Sequence, residues 1–293
     1  MGNNYSTKIQ GIKTLDLNRQ VRFNDKTFKR ILECLQLEAG QKLLDLGCGP
    51  GTFTRTLAQH VKGAHIVGLD FDDNFIDYCK AASQDMDLTY LQGDALKTPF
   101  EDGTFDVCSS HTVIEHLPTQ AFIREQHRLL RTGGRLVIFN VRADRGIVNQ
   151  EEVVVSDREK ALMEPVSQVL DQLNKTHRVS AYQASPQEIL RTMERVGFKD
   201  ICVDVIPYVT CMDDSRLSQE DRLLIIESEQ ESLIEYIHMA RSEKEDLLSS
   251  EEYEELIGLI KKRFDDRKEE MKAGKTLWNF NAAPNLAFTG IKA

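Results

Sequence analysis

At 293 residues the chain has room for one large domain or two small ones, and 41% apolar against 29% charged residues is the balance of a globular protein with a sizeable core. A net charge of −10 argues against a partner whose phosphates must be neutralised, so no nucleic acid is expected. No apolar run reaches membrane-spanning length, no secretory pattern opens the sequence, and the six cysteines form no C-x-x-C pair. These features lead to the expectation of a cytoplasmic protein with reduced thiols, no membrane partner and no metal.

Taken in order, residues 1–6 match the short lipidation pattern M-G-x-x-x-[ST], but a disordered start is the favoured reading. Asn24 caps a helix with Phe28, Ile31, Leu32 and Leu35 on one face. Residues 42–51, KLLDLGCGPG, read as a buried strand stopped by three glycines two apart, Gly47, Gly49 and Gly51. Residues 52–61 place Phe53, Leu57 and Val61 at helical spacing, so the turn opens into a helix. A second strand over 65–71 ends in Asp70, and Asp72 starts a helix with Phe75, Ile76 and Cys79 inward. A third strand, 88–94, ends in Gly93-Asp94-Ala95, and a fourth, 105–110, runs into His111. Thr119 caps a helix that Gly133-Gly134 ends, and 134–141 is the fifth strand.

Residues 142–184 hold one helix, on Leu162, Val166, Val169 and Leu173. Ser185-Pro186-Gln187-Glu188 is a capping box leading to a helix closed by Gly197, and 201–209 is the sixth strand. Residues 211–275 are helical and acidic, with about 19 acids against about 11 bases. Ser218 and Ser249 begin two helices, one seamed by Leu223, Ile226, Leu233, Ile234 and Ile237, the other by Tyr253, Leu256, Ile257, Ile260 and Phe264. Residues 285–292 read as a closing strand. Strands alternating with single helices imply a parallel α/β sheet with right-handed crossovers.

A dinucleotide site requires G-x-G-x-x-G, but Thr52 stands at the third glycine's place. Asp45, on the strand before the turn, would repel a pyrophosphate. A ligand with an adenosine end and a cationic other end fits better, which describes S-adenosylmethionine. The run from Asp45 to Gly51 resembles motif I of the class I S-adenosylmethionine-dependent methyltransferases, and the acids and strands up to residue 141 follow at that family's distances.

The resemblance implies a Rossmann-like, seven-stranded, mostly parallel sheet with helices on both faces, its last strand antiparallel between the fifth and sixth. It implies a single domain over 1–293 with a cofactor-binding core at 24–141 and a helical insertion at 212–276 acting as a lid. Asp45, Gly47, Cys48, Gly49 and Gly51 would hold the cofactor. Asp70 and Phe71 would take the ribose end, Asp94 and Ala95 the adenine, and His111 would also contact the cofactor. Tyr208, Trp278, Asn279, Phe280 and Asn281 would sit near the methyl group, and Tyr5 and Arg22 either line the pocket or belong to a solvated tail. S-adenosylhomocysteine would be the product.

Methyl transfer from a sulfonium is an in-line displacement whose leaving thioether needs no proton, so alignment and dryness matter most. A base is needed only for a protonated nucleophile. His111 reads as that base or a substrate contact, and equally as a backbone contact or a packed side chain. In some relatives an E-x-x-E-H run here binds a metal, but Thr112 replaces the first Glu, so His116 is expected to dock a loop instead. Arg142 and Arg145 read as grips for an anionic substrate group or as loop surface, and Trp278 and Phe280 as a flat pocket or as packing. The expected function is methyl transfer to a small-molecule O, N, S or C nucleophile. Alternatives are a methyltransferase acting on protein or tRNA and a catalytically silent cofactor binder; the oligomeric state is not legible.

Overall fold

The computed structural model of the protein describes residues 5–149, 154–177 and 179–293, so the first four residues of the lipidation pattern lie outside it. In chain order the elements are α1 (Tyr5–Lys8), α2 (Ile12–Arg22), α3 (Asp25–Leu35), β1 (Lys42–Leu46), α4 (Thr52–His60), β2 (His65–Asp70), α5 (Asp73–Ala82), β3 (Leu88–Gln92) and β4 (Phe105–His111). Then follow α6 (Thr119–Leu129), β5 (Leu130–Val141), β6 (Ile147–Asn149), α7 (Asp157–Thr176), α8 (Pro186–Val196), β7 (Phe198–Cys211), α9 (Gln219–Glu243), α10 (Ser250–Lys272) and β8 (Phe280–Lys292). The chain divides into a sheet unit, Phe23–Gly146 with Arg178–Tyr208 and Ala283–Ala293, and a helical unit, Met1–Arg22 with Ile147–His177 and Val209–Ala282.

Strand order is β3-β2-β1-β4-β5-β8-β6, with β7 also paired to β8. β3 through β5 are parallel neighbours, and β8 runs antiparallel to β5, matching Arg135 with Ile291 and Val141 with Asn285. The mostly parallel sheet with an inserted antiparallel last strand is as expected, but it has eight strands, not seven. The extra one is β6, which pairs Ile147, Val148 and Asn149 with Ala282, Asn281 and Phe280. Three exposed residues make neither an alternating pattern nor a buried run, so only the partner strand reveals them.

Successive strand residues face opposite ways, and each face finds its own core. Leu43, Val107, Val137 and Phe139 join Phe28, Ile31, Leu35, Phe53 and Leu57 of α3 and α4. Leu44, Leu46, Cys108, Leu136 and Ile138 join Phe122, Ile123 and Leu129 of α6 and Ile189 and Met193 of α8. Caps form at Asn24, Asp72 and Ser185, each side chain accepting from a first-turn amide, but at Ser185 the reciprocal Glu188 bond of the expected capping box is missing among the described residues. Thr119 does not cap α6. Pro118 holds that position with no side-chain cap, and the helix ends at Leu129, four residues before Gly133, because Leu130 already pairs with Phe105.

The helical unit gathers α7, α9 and α10 around Leu162, Val166, Ile226, Ile237, Ala240, Leu248, Leu256, Ile257, Ile260 and Phe264. Its seam therefore belongs to three helices, not to the expected pair alone. Ser218 and Ser249 both close complete capping boxes. Residues 5–22 form no solvated tail: Glu235 of α9 accepts from the Gly11 amide and the Thr14 hydroxyl at 2.5 Å each, and Asn18 bonds Ser228 and Ser232. A carboxylate at the start of α2 suits the positive end of the helix.

Candidate functional site

β1 and β2 end side by side, Asp45 opposite Gly68 and Leu46 opposite Leu69, so the glycine turn starts beside the end of β2. Gly47 and Cys48 both donate to the Leu69 carbonyl, at 2.7 and 3.1 Å, and Gly49 donates to Oδ2 of Asp70 at 2.8 Å. Gly47, Gly49 and Gly51 have φ of 73°, 54° and 77°, the left-handed region that favours glycine. A Cβ at Gly47 would lie 2.5 Å from Val113, and one at Gly51 would lie 2.7 Å from Cys79 and 2.9 Å from the Tyr90 hydroxyl. Gly51 is also the N-cap of α4, which aims that helix's first amides at the turn.

Asp45 is buried and accepts from the Thr54 hydroxyl at 2.7 Å. Asp70 accepts from the amides of Gly49 and Asp72, yet burial outweighs those bonds and pushes its pKa up to about 6, with the Asp72 charge adding to the rise. Phe71 beside it is exposed. Cys48 is buried with its thiol well above the ordinary range, through burial first and the neighbouring Cys79 second, so it is inert packing of the turn. Asp94 is exposed, turns back on itself through the Leu96 amide at 2.8 Å, and precedes Ala95.

His111 ends β4 and is buried among Phe23, Phe53, Phe139 and Tyr208, with ring centroids 5.2 to 6.0 Å away. Its Nε2 lies 2.6 Å from the Tyr208 hydroxyl, and Asn285 Nδ2 donates to that oxygen at 2.9 Å. With the Asn285 amide donating to that oxygen, the phenol hydrogen is available to Nε2 of His111. Thr112 follows at φ 55° and donates to the Phe139 carbonyl, turning Val113 onto Gly47. His111 is thus a packed side chain hydrogen-bonded to Tyr208. His116 accepts from the Ser180 amide at 3.1 Å, and no metal-holding group of His, Cys, Asp and Glu occurs among the described residues.

A family model described as "Methyltransferase domain" matches residues 44–138, which contain the glycine turn, Asp70, Asp94 and His111. The chain carries a class I S-adenosylmethionine-dependent methyltransferase domain. Demethylmenaquinone methyltransferase of Staphylococcus saprophyticus is 32% identical over 126 residues, 41% of this chain and 54% of that protein. The chain spans between 34% and 54% of the length of the first curated relatives it matches. Phosphoethanolamine N-methyltransferase 2 of Haemonchus contortus, solved with S-adenosyl-L-methionine, superposes with a TM-score of 0.54 at 17% identity, over 99% of this chain and 59% of that one. Geranyl diphosphate C-methyltransferase of Streptomyces coelicolor gives 0.50 at 14% identity, over 94% of this chain and 77% of that one. Those two likenesses are of fold.

The remaining expected site residues lie outside the segment matched to the methyltransferase domain model. Arg142 and Arg145 leave β5 in the sheet unit and both face Asp144, at 2.7 and 3.3 Å, so each guanidinium already has a carboxylate. Tyr208 is in the sheet unit with His111, whereas Trp278 and Phe280 are in the helical unit. Sequence reading missed Val113, Asn285 and Gly68. Only Gly68 left a signal, a glycine inside an apolar strand, where a Cβ would strike the Tyr90 ring at 2.7 Å.

Proposed function

We propose that this protein transfers a methyl group from S-adenosylmethionine to a small-molecule acceptor. The observation that carries the reading is the glycine turn, three left-handed glycines in a row of alternate positions, closed by Val113 and tied to Asp70 through the Gly49 amide. Left-handed glycines leave the backbone of the turn bare, which fits a ligand that approaches it closely. Gly47, Cys48, Gly49 and Gly51 bring the bare backbone of the turn against the amino acid end, with Asp45 beneath. Asp70 takes the ribose hydroxyls, Phe71 and Ala95 flank the adenine, and Asp94 accepts from its amino group.

When bound, S-adenosylmethionine supplies an electrophilic methyl on a sulfonium, displaced in line with a neutral thioether leaving. His111 serves as the acid-base group through Tyr208: its Nε2 accepts the phenol proton as the Tyr208 oxygen takes one from the acceptor. Asn285 keeps that oxygen in place throughout. Arg142 and Arg145 are the grips for an anionic group of the acceptor, which would take the place of Asp144 on them. An acidic chain suits a small substrate over nucleic acid. Six unbridged cysteines support a cytoplasmic site of action, and no helix of the described residues is long and apolar enough to cross a membrane.

The test incubates purified protein with methyl-labelled S-adenosylmethionine and a cell extract, then separates small-molecule, RNA and protein fractions. Label in the small-molecule fraction is expected. Label confined to RNA or protein would refute the substrate class, and no label despite measured cofactor binding would favour a silent binder.

A further inference from the structure

Asp144 offers two oxygens to three guanidinium nitrogens. Nε and Nη2 of Arg142 grip Oδ1 and Oδ2 at 2.8 and 2.7 Å, a bidentate fork, while Nε of Arg145 comes to the same Oδ2 at only 3.3 Å. Arg142 leads into the short 3-10 turn Ala143–Arg145, which the Arg145 amide closes on the Arg142 carbonyl at 3.0 Å. The turn is fixed to β8: the Arg142 amide donates to the Pro284 carbonyl at 2.8 Å, directly after the Val141–Asn285 pair. It therefore stands at the carboxyl end of the parallel strands, where open α/β sheets receive ligands, and all of its residues belong to the sheet unit.

Two positive charges share one negative charge here, although the chain as a whole carries −10. Exposed ion pairs add little to stability, so folding does not account for the second arginine. The Arg142 side-chain bond holds the Asp144 carboxyl below the usual carboxylate range, so Asp144 is ionised at neutral pH and fills the grip whenever no other anion does. Arg142 is the settled half of that grip, with 24% of its side chain exposed, and Arg145, at 76%, is the half that can close on a larger anion.

We infer that Asp144 is a specificity-determining residue, a tethered competitor for Arg142 and Arg145, and that the methyl acceptor able to displace it is a phosphate monoester. A carboxylate arriving from solution would replace like with like, two oxygens and one charge, and would also lose translational freedom that the tethered Asp144 never had. A phosphate monoester brings a charge of about −1.5 to −2 and three acceptor oxygens, which balances both guanidinium groups and leaves Arg145 an oxygen of its own. This inference deepens the function proposed above and rests on it.

The experiment titrates the full-length protein, saturated with S-adenosylhomocysteine, with methyl phosphate and with acetate by calorimetry at about pH 8, where the phosphate is a dianion. Methyl phosphate is expected to bind at least about tenfold more tightly than acetate. Asp144→Asn, at a side chain 54% exposed, removes the competitor's charge without touching the core, so both anions gain about tenfold while S-adenosylhomocysteine affinity is unchanged. Arg142→Lys, which keeps the charge but loses the fork, weakens methyl phosphate by a similar factor. Vesicles of phosphatidylcholine with phosphatidic acid separate a free ester from a lipid headgroup: the free ester is expected to bind, and binding to vesicles alone overturns the inference. Acetate binding as tightly as methyl phosphate overturns it, as does an unchanged methyl phosphate affinity in either variant. No binding of methyl phosphate to a protein that binds S-adenosylhomocysteine overturns it too, while the cofactor reading stands. Failure of the wild type to bind S-adenosylhomocysteine refutes the proposed function itself.

Discussion

The Tyr208 hydroxyl lies 2.6 Å from Nε2 of His111, joining the end of β4 to a strand 97 residues later. Asn285 completes the chain from β8, and all three residues are buried. Tyr208→Phe leaves two buried polar groups without their shared partner, so it is expected to cost about 1–3 kcal/mol in denaturant unfolding. If His111 works through Tyr208, kcat falls by about a hundredfold or more while S-adenosylmethionine affinity is unaltered, a split that steady-state kinetics and calorimetry read directly. An unaltered kcat would leave the pair as packing alone.

Gly47→Ala places a methyl 2.5 Å from Val113 at a φ of 73°. Both strain and clash act on the turn, not on the sheet below it. The variant is expected to bind S-adenosylhomocysteine at least about tenfold more weakly, with a stability loss of about 1–3 kcal/mol. Adding Val113→Ala should recover part of the affinity by removing the clash but not the strain. No recovery would mean that the backbone conformation alone decides the effect.

Asp70 titrates in the folded protein near 6, raised from 3.8. A carboxyl raised on folding binds more protons in the native state, so its contribution weakens stability as pH rises from about 4 to about 6 and is constant above. The full effect is at most about 3 kcal/mol. Asp70→Asn should flatten that part of the stability profile. Ribose hydroxyls donate to the ionised form, so S-adenosylhomocysteine affinity is expected to fall up to about tenfold per unit below about pH 6. Calorimetry at several pH values checks this, and a flat profile would remove Asp70 from the cofactor site.

Glu159 of α7 is buried and takes a bidentate bond from Arg263 of α10, the closer contact being 2.8 Å. Glu159→Ala removes the bidentate partner of a partly exposed guanidinium and should cost about 1–3 kcal/mol, measured by urea unfolding. The paired change to two apolar residues should cost much less.

What the sequence by itself determined is the part of the protein that local physics controls. Glycines at 47, 49 and 51 can take left-handed backbone where other residues pay, apolar runs of strand length bury themselves, and Ser, Asn and Asp satisfy the free amides of a first helical turn. Those rules made the parallel core, the glycine turn and the order of the acids legible. The tertiary structure alone decided what depends on partners far along the chain. β6 exists because Phe280–Ala282 meets it, α7 joins the helical seam because its apolar face finds α9 and α10, and residues 5–22 are helical against Glu235. His111 likewise acquires its partner from residue 208, and Trp278 its backbone from Asp213. A short exposed strand, a polar segment and a lone aromatic carry no period of their own, so their conformation is set by the contact that repays its cost and by nothing written beside them.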